Sequence, residues 1–460
     1  MPISGLFLLI GGLAALGYLA GRRRAFAFAT PGRGARHSLP GHYGVHVALW
    51  CAVPAGAIAA AWLLAEPRVI DALAAAGLPD AIRNLPADRL ALMMEKARNL
   101  AAGVVQGGDA EPAVAALAAR FARLDEIGRT ALIVSLGVVA PAGLFHAWRH
   151  MAPDFRARVS VERAMRVGLF ACAAVAVITT LGIVLSLLFE AARFFAAVSP
   201  DDFLFGLAWS PQTAIRADQI AASGSFGAVP LFVGTTLIAL IAMAVATPIG
   251  LFAAIYMTEY APKRLRAMAK PAIEMLAGIP TVVYGFFAAL TVAPALRALG
   301  AVLGLDVASE SALAAGLVMG IMIIPFVSSL ADDAIAAVPR SLREGSLALG
   351  ATRSETIREV VLPAALPGIA GGVLLAVSRA IGETMIVVMA AGMTANLTAN
   401  PLEAVTTVTA QIVALLTGDQ AFDSSKTLSA FALALVLFAV TLALNFAAMA
   451  IVRRFRERYD

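Results

Sequence analysis

Nine segments of this chain are long and apolar enough to cross a lipid bilayer, and they decide what the chain can fold into. A spanning helix needs about 20 mostly apolar residues. The segments lie near residues 3–20, 43–65, 131–148, 167–189, 229–257, 272–297, 311–330, 364–392 and 428–452. Only 14% of the residues are charged, against roughly 25% in an average soluble domain. The sequence therefore predicts an all-α polytopic membrane protein.

Basic residues between these segments predict which ends face the cytoplasm, because arginine and lysine concentrate on that side of membrane proteins. If the nine helices alternate, four basic clusters all fall on the cytoplasmic side, the N-terminus faces outside and the C-terminus faces the cytoplasm. The clusters occupy residues 21–42, 149–166, 258–271 and 453–458. Arginines follow the first apolar run rather than precede it, so we expect a retained helix and not a cleaved signal peptide.

The segments fall into two groups, which predict two domains. Residues 1–150 hold about three of the predicted helices and a polar insert at 66–130. The amphipathic stretches of that insert fit either a small external helical cap or a helix lying on the membrane surface. Residues 151–460 hold six predicted helices with both ends cytoplasmic, and the segments 191–228 and 394–426 are predicted external loops. We therefore expect an N-terminal extension followed by a six-helix core.

One predicted cytoplasmic loop, residues 331–363, differs from the others because its sequence predicts two short helices. Pro339 is a helix start signal, and Gly350 marks a stop and a tight turn. Thr352 and Glu355 have the spacing of a capping box for the second helix. Small residues in such an element let it enter a groove on another protein. The loop is therefore a candidate contact for a partner.

The loop sequence EGSLALGATRSETIREVVLP resembles the coupling motif of ABC importer permeases, with every spacing kept. Glycine and serine stand where that motif has two alanines. The segments AGIPTVVYGFF and SRAIGETMIVVM are similar to the phosphate-specific permeases, and among these to the PstC-type subunit, within a resemblance that covers about residues 160–456. The residues that match the coupling motif are Glu344, Gly345, Ser346, Gly350, Leu362 and Pro363.

This resemblance implies a type I ABC importer permease core of six helices in the bacterial inner membrane. It also implies a PstA-type permease as heterodimer partner and a dimer of PstB-type ATPases that binds ATP and magnesium. A PstS-type periplasmic protein then delivers inorganic phosphate. Because the chain lacks a Gly-x4-Gly-Lys-Ser/Thr phosphate loop, we expect no ATP hydrolysis, no enzyme activity and no cofactor in the chain itself.

Two charged residues, Arg379 and Glu383, lie inside the apolar run 364–392. A charge at the centre of a membrane helix costs about 2.5–3.5 kcal/mol on insertion scales. Four residues apart, the two share one face of the predicted helix. Either they neutralise each other and fix the helix to a neighbour, or Arg379 donates hydrogen bonds to phosphate and Glu383 positions it. The resemblance favours the second role, and Thr384 then adds a hydroxyl to the substrate pathway.

Other functions fit parts of this pattern. A permease for another oxyanion, such as sulfate, molybdate or phosphonate, shares it, because selectivity resides largely in the binding protein. An ion-driven secondary transporter fits less well, since such carriers need acids in several membrane helices and we expect Glu383 to be the one well-buried acid of the core. The segment Gly278–Gly285 either breaks a membrane helix at Pro280 or only kinks it. We expect no metal site at the five histidines, and the short basic clusters do not predict nucleic-acid binding.

Overall fold

The computed structural model describes residues 3–27, 37–78, 86–103, 112–213, 223–417 and 424–455. Within these ranges nine helices are long and apolar enough to cross a membrane, and each overlaps one of the nine predicted segments. The all-α polytopic fold is therefore confirmed, apart from one short β-hairpin. The chain forms two compact units, Met1–Ile178 and Thr179–Asp460. The predicted boundary near residue 150, between an N-terminal extension and a six-helix core, stays a prediction.

The N-terminal unit is built from four helices and part of a fifth. These are α1 Ile3–Ala27, α2 Pro40–Ala76, α3 Ala87–Ala101, α4 Pro112–His150 and α5 Ala157–Phe195, which continues into the second unit. Apolar side chains of α1, α2 and α4 pack together around Leu132 and Leu136, which are buried. The three helices thus share one apolar core.

The polar insert is helical and has a small core of its own. The helices α2 and α4 are 37 and 39 residues long, well beyond the length that a bilayer requires. Their extensions enclose apolar side chains together with α3, among them Ile70 and Phe121. Arg120 donates hydrogen bonds to the carbonyl oxygens of Leu73 and Gly77, both at 3.1 Å. A helical cluster with its own core favours the cap over a helix lying on the membrane surface.

The second unit contains the end of α5, the hairpin and, in the part of the chain that the structure describes, twelve further helices. These elements are α6 Pro200–Phe205, β1 Trp209–Thr213, β2 Ser223–Phe226, α7 Val229–Ile255, α8 Lys263–Ala277, α9 Thr281–Phe287, α10 Ala293–Leu303, α11 Ala312–Ala336, α12 Arg340–Ala348, α13 Arg353–Glu355, α14 Leu362–Ile381, α15 Met385–Ala390, α16 Val408–Leu416 and α17 Ser425–Phe455. Wider π-helical turns cover Tyr256–Tyr260, Ala288–Val292 and Thr356–Val361. The chain breaks rather than kinks at Pro280, between α8 and α9.

Close packing of α7 against α11 forms the centre of the second unit. Gly316 and Gly320 lie one turn apart on α11, and a Cβ added to them would come within 2.7 and 2.9 Å of the Cβ atoms of Ile241 and Val245. The glycines therefore let the two backbones approach closely, as small residues commonly do between membrane helices. The buried side chains around this contact include Ile238, Ala242, Met319 and Ile323.

The antiparallel hairpin is part of the core rather than a free loop. Trp209 of β1 stands opposite Phe226 of β2, and their rings meet edge to face with centroids 6.2 Å apart. Phe226 in turn packs against Phe194, with ring centroids 5.4 Å apart, and Phe203 is buried beside them. Edge-to-face contacts of this kind add to the free energy of burial. The hairpin thereby seals one apolar cluster of the unit.

Two predicted segments are corrected by the structure. The helix predicted over 364–392 ends at Ile381, and the separate helix α15 starts at Met385. The segment 394–426, predicted as an external loop, contains the largely buried helix α16. Hydropathy does not distinguish a continuous spanning helix from a helix that breaks and is followed by a second buried helix, because both are apolar.

We expect Gly320→Ala to loosen the contact between α7 and α11. The added Cβ would lie 2.9 Å from the Cβ of Val245, and overpacking of this kind costs about 1–3 kcal/mol. The midpoint of thermal unfolding of the purified protein in detergent should fall. Gly182→Ala is the matched control, because nothing lies within 4 Å of its added Cβ. An equal fall in both variants would contradict the prediction.

Candidate functional site

The break between α14 and α15 places Glu383 outside any helix. The N–H of Glu383 donates to the carbonyl of Ala380 at 3.2 Å. Its own carbonyl accepts a hydrogen bond from the Thr409 hydroxyl at 2.7 Å, and one carboxylate oxygen accepts the N–H of Met385 at 3.2 Å. Backbone that leaves a helix within the membrane must find such partners inside the protein. Glu383 is therefore held at three points.

Arg379 lies in the last turn of α14 and is exposed. Its guanidinium carbon is 5.6 Å from the centroid of the Phe326 ring, a cation–π distance. It forms no ion pair with any residue that the structure describes. The expectation that Arg379 and Glu383 share one helical face is wrong, because α14 ends two residues after the arginine. Each side chain is thus available to a third group.

The two hydroxyls beside this pair differ in what they bind. Thr384 is half-buried, and its hydroxyl lies 3.4 Å from the carbonyl oxygen of Gly382, a long hydrogen bond. The Ser378 hydroxyl contacts the carbonyl oxygen of Leu374 at 3.2 Å and Oδ1 of Asn445 on α17 at 3.1 Å. Ser378 therefore ties α14 to α17, while the Thr384 hydroxyl is the less committed donor.

A buried polar network continues from the break into α16. The hydroxyls of Thr407 and Thr409 are 3.0 Å apart, and the N–H of Val408 donates to the Thr235 hydroxyl of α7 at 3.1 Å. All three threonines are buried. The sequence interpretation missed this network because it assigned the segment to an external loop. The available signal is the run VTTVTAQ at 405–411, in which hydroxyls sit among apolar residues.

The predicted coupling loop has the expected helix–turn–helix form. The first helix, α12, ends at Ala348, and Gly350 has a φ of 91°. This left-handed backbone conformation favours glycine at the turn. Thr352 and Glu355 form the predicted capping box at the start of α13. The local signals of the sequence are therefore confirmed in this loop.

One side of the coupling loop is open. Glu344, Gly345 and Gly350 are exposed. Two leucines of the same loop, Leu347 and Leu349, are 50% and 92% exposed. Exposed leucines beside small residues and a carboxylate form an apolar surface with a charged edge. Such a surface suits contact with a protein partner.

The other side of the loop is fixed to the membrane helices. The Ser346 hydroxyl lies 3.0 Å from that of Thr356, which ties α12 to the following π-helical turn. Leu362 begins α14, and Pro363 occupies its first turn, a position where proline loses no helical hydrogen bond. The loop and α14 are thus joined both by the continuous chain and by this contact.

Arg343 adds a second connection between α12 and the membrane helices. Its guanidinium donates to the carbonyl of Ile335 in α11 at 2.7 Å, and one Nη lies 3.2 Å from Oε1 of Glu259. Next to Glu259, the ring of Tyr260 lies 5.1 Å from the guanidinium carbon of Arg353. The π-helical turn after α7 is therefore bound to both helices of the coupling loop.

Among the residues of this unit that the structure describes, Asp332 of α11 is the one acid in the buried class, with 2% of its side chain exposed. It accepts hydrogen bonds from Arg266 at 2.9 and 3.1 Å, from Lys270 at 2.7 Å and from the Thr258 hydroxyl. The hydrogen bond to Asp332 raises the pKa of Lys270. The expectation that Glu383 is the buried acid is wrong, since Glu383 is only half-buried. Two cations and a hydroxyl compensate the buried charge.

Two family models match the chain. Residues 6–179 match the family described as phosphate ATP-binding cassette transporter, and residues 246–459 match the binding-protein-dependent transport system inner membrane component. The phosphate transport system permease protein PstC 1 of Mycobacterium bovis is 35% identical over 248 residues, which cover 50% of this chain and 73% of that protein. The chain belongs to the PstC family of phosphate transport permeases. The first match spans nearly all of the first compact unit, and the second match lies inside the second unit.

Other relatives of this PstC-family chain are covered less fully. The probable ABC transporter permease protein YqgH of Bacillus subtilis is 36% identical over 42% of this chain and 60% of its own length. The chain spans about half the length of several other PstC proteins. Among solved structures, the inward-facing MetNI methionine ABC transporter aligns with 50% of this chain and 95% of its own, at 20% identity and a TM-score of 0.37.

We expect Asp332→Asn to destabilise the PstC-family chain by about 1–3 kcal/mol, because the hydrogen bonds to Arg266 and Lys270 lose their anion. The midpoint of thermal unfolding in detergent measures the effect. Asp333→Asn is the matched control, since Asp333 is the next residue of α11 and is exposed. Similar midpoints for the two variants would show that the Asp332 cluster contributes nothing to stability.

Proposed function

We propose that this chain is a transmembrane subunit of an ATP-driven importer of inorganic phosphate. It forms the phosphate pathway together with a PstA-type permease and receives phosphate from a PstS-type periplasmic protein. A dimer of PstB-type ATPases binds ATP and magnesium and contacts its coupling loop. The observation that carries the proposal is the direct connection of this loop, through α14, to Arg379 and the break at Gly382. Family membership supports the substrate.

The open side of the coupling loop is the proposed contact with the ATPase. Glu344 supplies a charge at its edge, and Gly345 keeps the helix surface flat enough to enter a groove. Association covers the exposed Leu347 and Leu349, which removes apolar surface from water. When the ATPases close, α12 is displaced, and the contacts of Ser346 and Arg343 transmit this displacement to the membrane helices. Such a rigid-body switch produces alternating access.

Arg379 is the proposed contact for phosphate. The planar guanidinium presents paired N–H donors that match the oxygens of a phosphate group, and its exposed position in the free chain leaves those donors accessible. Glu383 repels the same anion and so limits how tightly it is held, which favours release. Thr384 adds a neutral hydroxyl donor to this substrate pathway. The distance of about 26 Å from Leu362 to Arg379, seventeen residues along α14, places the contact deep in the membrane.

The proposed orientation has the N-terminus in the periplasm and the C-terminus in the cytoplasm. Its support is the agreement of the basic clusters between the nine helices. With this orientation the coupling loop faces the cytoplasm, where ATP is available. The hairpin and the connection between α15 and α16 then face the periplasm, where the phosphate-binding protein docks.

We expect Arg379→Gln to abolish phosphate uptake while the transporter still assembles. The substitution removes the cation and its paired donors but preserves most of the side-chain volume. Uptake of radiolabelled phosphate in a permease-deletion strain complemented with this chain measures activity, and co-purification of the partner subunits measures assembly. Arg297→Gln is the control. Arg297 lies on α10, and its guanidinium donates a surface hydrogen bond to Ser309 in the connection between α10 and α11, so this variant should transport normally. Loss of assembly in Arg379→Gln would instead indicate a structural role.

We expect Glu344→Lys to uncouple ATP hydrolysis from transport, because it reverses a charge on the ATPase-facing side of α12. Phosphate uptake in the reconstituted complex should fall to background, and the stimulation of ATP hydrolysis by the loaded binding protein should be lost. Asp306→Lys makes the same charge change on the connection between α10 and α11, away from the coupling loop. Normal uptake by Glu344→Lys would refute the assignment of the loop.

A further inference from the structure

A partly polar cavity of about 410 Å³ lies in the second unit, among segments that the proposed orientation places towards the periplasm. Four elements line it: β1, the segment after α15, the helix α16 and the first turn of α17. We call this cavity the outer vestibule. The polar side chains of its lining are Ser210, Gln212, Thr394, Gln411 and Lys426. It is separate from Arg379 and Glu383, neither of which lines it.

The charge of the outer vestibule favours an anion. Among the described residues that line the cavity, Lys426 is the one cation and none is an acid, and no carboxylate that the structure describes pairs with this lysine. Lys426 is half-buried, and an ammonium group withdrawn from water without a counter-ion is costly. It also stands in the first turn of α17, where the helix dipole disfavours a cation. An anion in the cavity offsets both effects.

The polar side chains of the cavity are of two kinds: one is already hydrogen-bonded within the protein, and the others can bind a ligand. The Gln411 amide nitrogen donates to the carbonyl of Met393 at 2.9 Å, and its amide oxygen accepts the indole N–H of Trp209 at 3.1 Å. Both ends of the Gln411 amide are therefore hydrogen-bonded within the protein, and they connect β1 to the segment after α15. Lys426 and the hydroxyl of Thr394 are left to meet a ligand, together with the polar side chains of Ser210 and Gln212.

The outer vestibule is mechanically joined to the broken helix. Gln411 and Thr409 lie two residues apart on α16. The first lines the cavity, and the second donates its hydroxyl to the carbonyl of Glu383 at 2.7 Å. A rigid helix of nine residues thus has one side chain at the vestibule and another at the break. Occupation of the cavity and the position of Glu383 are coupled through this helix.

We propose that the outer vestibule is an entry site for a tetrahedral oxyanion, with Lys426 as its charged contact. The anion rests there before it passes to Arg379. This assignment deepens the proposed function and rests on it for the direction of transport, but the anion site itself is testable without transport.

The test measures the local potential and its response to phosphate. Ala414 lines the outer vestibule, so Ala414→Cys places a thiol in it. The exposed Cys172 is replaced by serine, and Cys51 is buried. In right-side-out vesicles containing the assembled transporter, we compare the labelling rates of an anionic and a cationic methanethiosulfonate reagent. We expect the anionic reagent to be favoured, and millimolar inorganic phosphate to slow labelling more than chloride at equal ionic strength.

Replacing Lys426 supplies the decisive comparison. K426Q should lower the ratio of anionic to cationic labelling about tenfold and remove the protection by phosphate, whereas K426R should keep both. Asp423 stands three residues before Lys426 in the sequence, outside the described residues. We therefore also expect K426Q to lower the labelling ratio when Asp423 has already been replaced (D423N). This comparison separates the charge of Lys426 in the cavity from the loss of an ion pair with Asp423.

Ala399→Cys is the matched control for reagent access. Ala399 is exposed and lines an apolar cavity of about 510 Å³ without a cation, so its labelling ratio should not respond to K426Q. An unchanged ratio at Ala414→Cys on replacing Lys426, or no protection by phosphate, would overturn the inference even if the transporter imports phosphate. Protection by phosphate in a complex that imports none would refute the proposed function and leave the anion site standing.

Discussion

The hydrogen bond from the Thr409 hydroxyl to the carbonyl of Glu383 allows this membrane unit to contain an interrupted helix. Within a bilayer, backbone that leaves a helix loses its partners and cannot replace them with water. Here α16 returns into the protein and supplies a hydroxyl at 2.7 Å, while Thr235 of α7 anchors α16 in turn. The irregular backbone around Glu383 is therefore stable because three separate segments meet there.

Buried ion pairs fix the helix ends next to the coupling loop in a comparable way. Asp332 joins α11 to α8 through Arg266 and Lys270, and Arg343 joins α12 to α11 and to the turn after α7. A buried ion cluster gains little over an apolar replacement of the whole cluster, but loss or displacement of one partner is costly because it leaves an uncompensated charge. The ends of these helices are thus constrained to move together with the coupling loop rather than independently of it.

Local signals were sufficient for some of these features and insufficient for others. The nine membrane segments follow from hydropathy, and the turn at Gly350 and the capping box at Thr352 follow from neighbouring residues. The break at Gly382, the burial of α16 and the role of Asp332 do not. From the sequence, Asp332 belongs to a predicted loop. Its burial cannot be foreseen, because the cations that compensate its charge, Arg266 and Lys270, lie more than sixty residues earlier in the chain. Contacts that distant are set by packing, which a single sequence window does not contain.

The corrected position of Glu383 changes how the proposed transport cycle works. If Arg379 and Glu383 shared one helix, their separation would be constant and the helix could only carry both together. Instead Arg379 belongs to α14, which is continuous with the coupling loop, and Glu383 is bound to Thr409 of α16. In the proposed cycle, displacement of the loop would shift α14, which carries Arg379, relative to α16, which holds the carbonyl of Glu383. An anion held by the arginine would then be brought towards or away from a repelling carboxylate, so that ATP-driven motion of the loop would change the anion affinity.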